Sequence, residues 1–180
     1  YPAIAPDGQH VAVSSRHTGR IGVYVIGPDG EARPVATKHG SCTPRWSPDG
    51  THLLCQTSSN VFQVKADGTG REQMTFGADV QHYADYGPAG QWFVFCRAAN
   101  AKGPWTIYAA RLDGEGKPIR LTDKGSNVHP HWFAAAEPDG PADGAVNAVA
   151  LPPREKVDGV VVHAKGDPAL GADGPVVENE

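Results

Sequence analysis

Three polar side chains that could bind a ligand stand at matching places along the chain. Arg45, Asp85 and His131 each come directly before a large aromatic residue. Side chains alternate between the two faces of a strand, so these groups lie opposite the aromatic residues. Tyr83 and His129, two positions earlier, join the same polar face. A guanidinium, a carboxylate and imidazoles on one surface can bind an ionic ligand or a charged segment of a partner. The sequence therefore predicts a binding site formed by these five residues.

The same residues have a purely structural alternative. Arg45 and Asp85 could form an ion pair between neighbouring repeats, while His129 and His131 form hydrogen bonds with backbone groups. A ligand site would tolerate substitution of these residues better than a structural pair would. The sequence leaves both interpretations open.

The histidines also suggest a metal site as an alternative. His129 and His131 are two residues apart, so both imidazoles of an extended strand can reach one ion. His82 is the candidate for a third ligand, but strand alternation puts it on the opposite face. We therefore predict no metal or other cofactor. If an ion were bound, His129, His131 and His82 would be its ligands.

Motifs that would identify a common enzyme class are absent from the sequence. It contains no Gly-x-Ser-x-Gly segment, no His-Glu-x-x-His pair and no glycine-rich phosphate loop. Ser47 has no neighbouring base to activate it, so we interpret it as a turn residue. The repeated Asp-Gly pairs supply too few oxygen ligands for calcium and are typical of hairpin turns. No residue is predicted to be catalytic.

The segments that carry these residues are copies of one pattern. The clearest copy is TPRWSPDG at 43–50, with weaker copies PAIAPDG at 2–8 and ADYGPAG at 84–90, and a fourth that begins with PHWF at 130–133. The turn glycines Gly8, Gly50 and Gly90 are 42 and 40 residues apart. Proline followed by glycine predicts a strand that ends in a tight turn. A period of about forty residues is typical of repeat proteins.

Each repeat contains signals for four short strands. A strand rich in branched or aromatic residues follows each turn, and a third strand carries an aromatic residue near its middle. The aromatic residues are Tyr24, Phe62 and Tyr108. A second Asp-Gly turn follows, and the fourth strand ends at a threonine. These threonines are Thr37, Thr75 and Thr122. The predicted fold class is all-β, a β-propeller with three four-stranded antiparallel blades plus part of a fourth.

The Pro-x-Trp-Ser-Pro-Asp-Gly pattern, the Asp-Gly hairpins and the closing Leu-Thr pair resemble the WD-repeat-like repeats of TolB-type β-propellers. The resemblance covers residues 1–133 and implies that the segments before the turns are innermost strands. Arg45, Asp85 and His131 would then lie near a central channel on successive blades. The family includes partner-binding propellers, propellers fused to prolyl-oligopeptidase-like hydrolases, and oligogalacturonide lyases. It implies a periplasmic or extracellular location.

We predict that the chain is a non-enzymatic binding or scaffolding module for protein–protein interaction. One alternative from another class is a propeller lyase of the oligogalacturonide type, in which Gln81, His82, His129 and His131 would form a histidine-based metal site. A second alternative is the propeller part of a larger hydrolase.

Residues 134–180 differ from the repeats in composition and charge. They carry nine acidic and three basic residues, a net charge of −6, and contain no aromatic residue, so they cannot build a core of their own. Two stretches, 145–151 and 157–163, are predicted to be strands. The scattered basic residues of the repeats do not form a nucleic-acid surface, and no apolar run is long enough for a membrane span.

The large aromatic residues are predicted to pack between blades. They are Trp46, Trp92, Trp105, Trp132, Tyr24, Phe62 and Tyr108. Trp105, which follows a Gly-Pro pair, is the candidate for the alternative role of stacking on a sugar. The three cysteines, Cys42, Cys55 and Cys96, cannot all pair within one chain, and we interpret them as buried free thiols.

Three blades and part of a fourth do not close a ring. Blades pack face to face, so an open arc would expose apolar surface at both ends. We therefore predict that two copies associate through the first blade and the 129–163 segment, or that further blades lie on a longer chain.

Overall fold

The computed structural model describes residues 1–134 except 17, 18, 20, 38 and 39, together with 148–149 and 160–166. These residues form fifteen strands in four antiparallel sheets, and the described part of the chain contains no helix. Three sheets have four strands each and follow the order of the sequence. The predicted organisation into four-stranded repeats is therefore confirmed for residues 2–120.

The strands divide among the sheets as follows. The first sheet contains β1 (Pro2–Ile4), β2 (Val11–Ser15), β3 (Gly22–Ile26) and β4 (Ala32–Ala36). The second contains β5 (Cys42–Trp46), β6 (His52–Gln56), β7 (Val61–Lys65) and β8 (Glu72–Gln73). The third contains β9 (Val80–Tyr86), β10 (Trp92–Ala98), β11 (Thr106–Arg111) and β12 (Ile119–Arg120). The fourth contains β13 (Asn127–Ala134), β14 (Ala148–Val149) and β15 (Val160–Gly166).

The turn between the first and second strands has the same geometry in three sheets. Gly8, Gly50 and Gly90 have φ values of 68°, 71° and 66°, a region that glycine enters without steric cost. Each glycine amide donates to the carbonyl three residues earlier, at 2.9 Å. In the second sheet the Asp49 carboxylate also accepts from the Thr51 amide at 3.0 Å. The repeated sequence pattern thus encodes one repeated turn.

The sheets pack on one another through three hydrophobic clusters. The first joins the first and second sheets around Val23, Leu53 and Phe62, and the second joins the second and third sheets around Leu54 and Phe93. The third joins the third sheet to β13, and it contains Val94, Ile107 and Trp132. Each interior sheet therefore buries both of its faces, as the blades of a propeller do.

A repeated bulge interrupts three of the inner strands. Thr43, Tyr83 and His129 have φ values of 51°, 56° and 55°, which places non-glycine residues in the left-handed region. All three lie three positions before the aromatic residue of their strand, and the pairing register shifts beside each of them. The strict alternation assumed from the sequence is therefore broken at this point in three of the four repeats.

Each bulge makes a hydrogen bond to the preceding sheet, which we call the seam bond. The Thr43 amide donates to Ser14 Oγ at 3.0 Å, and the Tyr83 amide donates to Gln56 Oε1 at 2.8 Å. A backbone hydrogen bond links His129 in the same way to the Cys96 thiol. The three accepting side chains, Ser14, Gln56 and Cys96, all stand six residues after their turn glycine.

The fourth sheet departs from the order of the others. β15 lies between β13 and β14, so the place of a second strand is taken by the later segment. The sequence predicted strands at 145–151 and 157–163, whereas the described strands are Ala148–Val149 and Val160–Gly166. The remaining residues of 135–180 lie outside the described part.

Burial of the aromatic residues is less uniform than predicted. Trp132, Tyr24 and Phe62 are buried, whereas Trp46, Trp92 and Tyr108 are half-buried. Trp105 is 8% exposed and belongs to the third cluster, stacked on His82 with a ring distance of 5.5 Å. Its alternative as an exposed sugar-stacking residue is therefore wrong.

The cysteines are free, as predicted. Cys55 and Cys96 are buried in different clusters, and Cys42 is half-buried. Burial raises the pKa of Cys96 to about 12, although its hydrogen bond with His129 acts in the opposite direction. Burial also raises the pKa of Cys55. Both thiols are therefore protonated at neutral pH and behave as core residues.

Candidate functional site

The inner strands of the four sheets surround a cavity of about 490 Å³. β1, β5, β9 and β13 neighbour one another, and each contributes residues to the wall. The cavity lies beside the first turn of each repeat, since Pro6, Pro48 and Pro88 also line it. The predicted convergence of matching positions on one central space is therefore seen for these four strands.

Asp85 connects two of the strands around the cavity, β9 and β13. Its side chain is only 8% exposed, and its Oδ2 accepts from His131 Nδ1 at 2.5 Å and from the Trp132 amide at 3.2 Å. Its Oδ1 accepts from the Tyr86 amide at 3.1 Å. Both oxygens are therefore used within the protein, and a nearly buried carboxylate requires such partners.

Arg45 makes a weaker contact with the same carboxylate. Its Nε lies 4.0 Å from Asp85 Oδ1, while its Nη1 donates to the Pro44 carbonyl at 3.1 Å. The Arg45 side chain is 34% exposed. The ion pair between repeats that was the structural alternative therefore exists only at long range, and the close partner of Asp85 is His131. That alternative had assigned His131 a backbone partner, so its close contact with a side chain is a correction.

His131 is protonated more readily than an ordinary histidine. Its hydrogen bond to Asp85 raises its pKa above the usual value, more strongly than partial burial and the Arg45 charge lower it. The imidazole is 65% exposed at the cavity. With His131 protonated, the cavity wall holds two positive charges and one negative charge, because Arg45, Asp85 and His131 are its charged residues.

The two tryptophans of the cavity wall differ in their hydrogen bonding. Trp46 Nε1 donates to the Ala3 carbonyl on the neighbouring inner strand at 2.9 Å. Trp132 holds the matching place on β13, but its Nε1 is buried and has no acceptor among the described residues. A buried ring N–H without an acceptor is uncommon in folded proteins.

Tyr83 and His129 do not line this cavity with the other predicted site residues. They are the left-handed residues of their bulges, and their rings are 4.1 Å apart. His129 also stacks on Tyr1 at 6.4 Å, and Tyr83 meets Trp105 edge-on at 5.9 Å. The predicted polar face therefore separates into a charged group and an aromatic group. The bulge causes this separation, and threonine, tyrosine and histidine give no sequence signal for it.

The three histidines considered as metal ligands have different partners. His82 Nε2 donates to the Ser58 carbonyl at 3.0 Å, His131 binds Asp85, and His129 packs on Tyr83. Burial lowers the pKa of His82. Within the described residues, no group of three histidine, cysteine or acidic side chains is arranged to hold a metal ion.

Ser47 has the turn role expected from the sequence. Its Oγ donates to Asp49 Oδ1 at 2.6 Å and accepts from the His52 amide at 2.9 Å. The bond from Ser47, with those from the Thr51 amide and hydroxyl, lowers the pKa of Asp49 to about 2. The carboxylate therefore stays charged and holds the turn beside the cavity.

Four antiparallel sheets arranged around a central cavity, with a charged wall built by matching positions, define the chain as part of a β-propeller. No family model matches the chain. It is 33% identical over 82 residues to a TolB homologue of Chlorobaculum tepidum, covering 42% of this chain and 19% of that protein. A solved structure of a TolB-type protein from Agrobacterium tumefaciens is similar at a TM-score of 0.64 and 26% identity. TolB from Acinetobacter baumannii is similar at 0.63 and 25%.

These similarities establish a TolB-like propeller fold, as the sequence resemblance implied. The two structural matches cover 71% and 92% of this chain, but only 48% and 42% of the solved chains. The chain thus spans less than half the length of these TolB structures. None of the described residues belongs to a helix that is long and apolar enough to cross a membrane.

Proposed function

We propose that this chain is a non-enzymatic binding module of the cell envelope, which binds a protein partner at the cavity between its inner strands. The observation that supports this most directly is the convergence of Arg45, Asp85 and His131 from three sheets on one opening. All three lie within strands and not in the turns between them. A partner segment that enters the cavity would contact Arg45 and His131, and Asp85 holds His131 in position.

The geometry suits a binding site better than a purely structural one. His131 and Arg45 remain partly exposed, although Asp85 beneath them is almost fully buried. A rigid acidic residue therefore positions two accessible basic groups. Preorganised charged groups of this kind favour specificity and fast association.

The aromatic group provides a second part of the proposed surface. Tyr83 and His129 are held in position by their seam bonds, and Tyr1 beside them is exposed. Aromatic side chains with few rotatable bonds are common at protein interfaces. A longer partner could contact both groups along the inner strands.

The periplasmic or extracellular location is part of the same proposal, and so is association of the chain with further blades or a second copy. The similarity to TolB proteins supports both. The lyase alternative has no specific observation in its favour. Its candidate residues each contact a different group within the protein and do not face one common site. They are Gln81, His82, His129 and His131, and Gln81 donates to the Phe76 carbonyl at 2.9 Å.

Site-specific photocrosslinking tests the proposed binding site. A photoreactive phenylalanine analogue is placed at Pro48, which is exposed at the cavity, and at the exposed Lys117, which does not line it. Both proteins are irradiated in an envelope extract of a TolB-containing bacterium. We expect discrete crosslinked products at position 48 that decrease when Asp85→Ala is added. Equal yields at the two positions, or no product at position 48, would contradict the proposal.

A further inference from the structure

We propose that the cavity recognises a carboxylate group carried on an apolar chain, as at the C-terminus of a peptide with an apolar last residue. This inference rests on the proposed function, because it names the ligand class of the same site. It follows from the charges of the wall, the hydrogen-bond donors in it and its apolar remainder.

The charged groups of the cavity come from three strands, and the basic residues outnumber the acidic one. β5 supplies Arg45, β9 supplies Asp85 and β13 supplies His131, while β1 supplies Pro2, Ala3 and Ile4. With His131 protonated, the wall has a net charge of +1. An anionic group is therefore favoured over a neutral or cationic group at this position.

Asp85 offsets one of the two positive charges, but its oxygens are already occupied. They accept from His131, the Trp132 amide and the Tyr86 amide, and the side chain is 8% exposed. The carboxylate acts as a positioning residue that orients His131. An entering anion meets the partly exposed Arg45 and His131 rather than the buried acid.

The hydrogen-bond donors that face the cavity belong to the two basic residues. The side chains of Arg45 and His131 are 34% and 65% exposed at the wall, whereas Nε1 of Trp132 is buried although this residue lines the cavity. A guanidinium or a protonated imidazole donates hydrogen bonds and accepts none, so these groups favour an acceptor such as a carboxylate oxygen.

Apart from the buried Ser47, the uncharged side chains of the wall are apolar or aromatic, and they restrict what the carboxylate is attached to. They are largely prolines and aromatic rings, among them Pro6, Pro48, Pro88, Tyr86 and Trp46. Proline and tryptophan surfaces offer van der Waals contact and few hydrogen bonds. A carboxylate on a short apolar chain suits this lining better than free phosphate or a polar sugar acid.

A set of three short peptides tests the ligand class by calorimetric titration of the full chain. The first is acetyl-Ala-Pro-Leu with a free C-terminus, the second is its C-terminal amide, and the third is acetyl-Ala-Glu-Leu amide. At pH 6 we expect the free acid to bind about tenfold or more tightly than its amide, the range for losing a charged hydrogen-bonding group. The third peptide distinguishes a terminal carboxylate from an acidic side chain.

Variants and pH identify the groups that make the contact. Arg45→Gln should weaken binding of the acid about tenfold and leave the amide unchanged. Lys117→Gln removes one positive charge outside the cavity and should change neither. The preference for the acid should decrease as the pH rises through the pKa of His131, since the wall then loses its net charge.

The outcomes separate this inference from the proposed function. Equal binding of acid and amide at pH 6, or no binding of either at millimolar peptide, would overturn carboxylate recognition. Crosslinking at position 48 would be unaffected by that result. Loss of that crosslink while the free acid still binds would instead contradict the protein-binding function alone.

Discussion

At the level of single residues, the contact between His131 and Asp85 makes the stability of the fold depend on pH. The pKa of His131 is raised by this contact, so the pair stabilises the fold fully below pH about 6.5, the usual histidine value. That contribution is lost as the pH rises through the raised pKa. We expect an NMR titration to place His131 above its usual value and Asp85→Asn to lower it. His82 in the same spectra should be unaffected, and an unchanged His131 would contradict the assigned pair.

The two tryptophans of the cavity provide a matched test of hydrogen bonding. Replacing either with β-(3-benzothienyl)alanine exchanges the ring N–H for sulfur at nearly constant volume. At Trp46 this removes the hydrogen bond to the Ala3 carbonyl, and the free energy of unfolding should decrease by about 0.5–1.5 kcal/mol. At Trp132 the N–H has no described acceptor, so stability should be unchanged or higher. Equal losses in urea denaturation would show that Trp132 has a partner.

At the level of strands, the closing threonines do more than end the fourth strand. Thr75 Oγ1 accepts from the Val61 amide at 2.9 Å, and Thr122 Oγ1 accepts from the Ile107 amide at 3.0 Å. Both amides belong to the third strand of their sheet. A side chain therefore satisfies a backbone donor where the short fourth strand has already ended.

Substitution of Thr75 tests that role. Thr75→Val leaves the buried Val61 amide without an acceptor, and we expect a loss of about 1–3 kcal/mol in the free energy of unfolding. Thr75→Ser keeps the hydroxyl and should lose clearly less. Urea denaturation of the two variants measures the difference. A serine variant as unstable as the valine variant would mean that the methyl group contributes as much as the hydroxyl.

The strands were predictable to the extent that they depend on local chemistry. Proline, aspartate and glycine fixed the turns, and the branched residues between them predicted the strands. The grouping of Arg45, Asp85 and His131 followed from counting along these strands. The bulges at Tyr83 and His129 could not be predicted, because they depend on hydrogen bonds with the preceding sheet. The order of β14 and β15 likewise depends on pairing between distant segments.

At the level of the whole molecule, packing between sheets predicts self-association of this chain. The three described clusters cover both faces of the second and third sheets, but only one face of the first. Ile4 is 71% exposed, and Val13 and Ile26 of the first sheet are half-buried. We expect light scattering of the chain alone to show dimers or larger species. A folded monomer at all concentrations would contradict this expectation.

The seam bonds also imply an order in which the three bulges would open. Their acceptors are a hydroxyl at Ser14, a carboxamide at Gln56 and a thiol at Cys96, and sulfur is the weakest acceptor of the three. The bond at His129 should therefore break most often, even though Asp85 and Cys96 make further hydrogen bonds to β13 that keep the fourth sheet attached. In hydrogen exchange, the His129 amide should accordingly lose its proton faster than the amides of Thr43 and Tyr83. One sulfur atom would then determine where the inner strands first exchange with solvent.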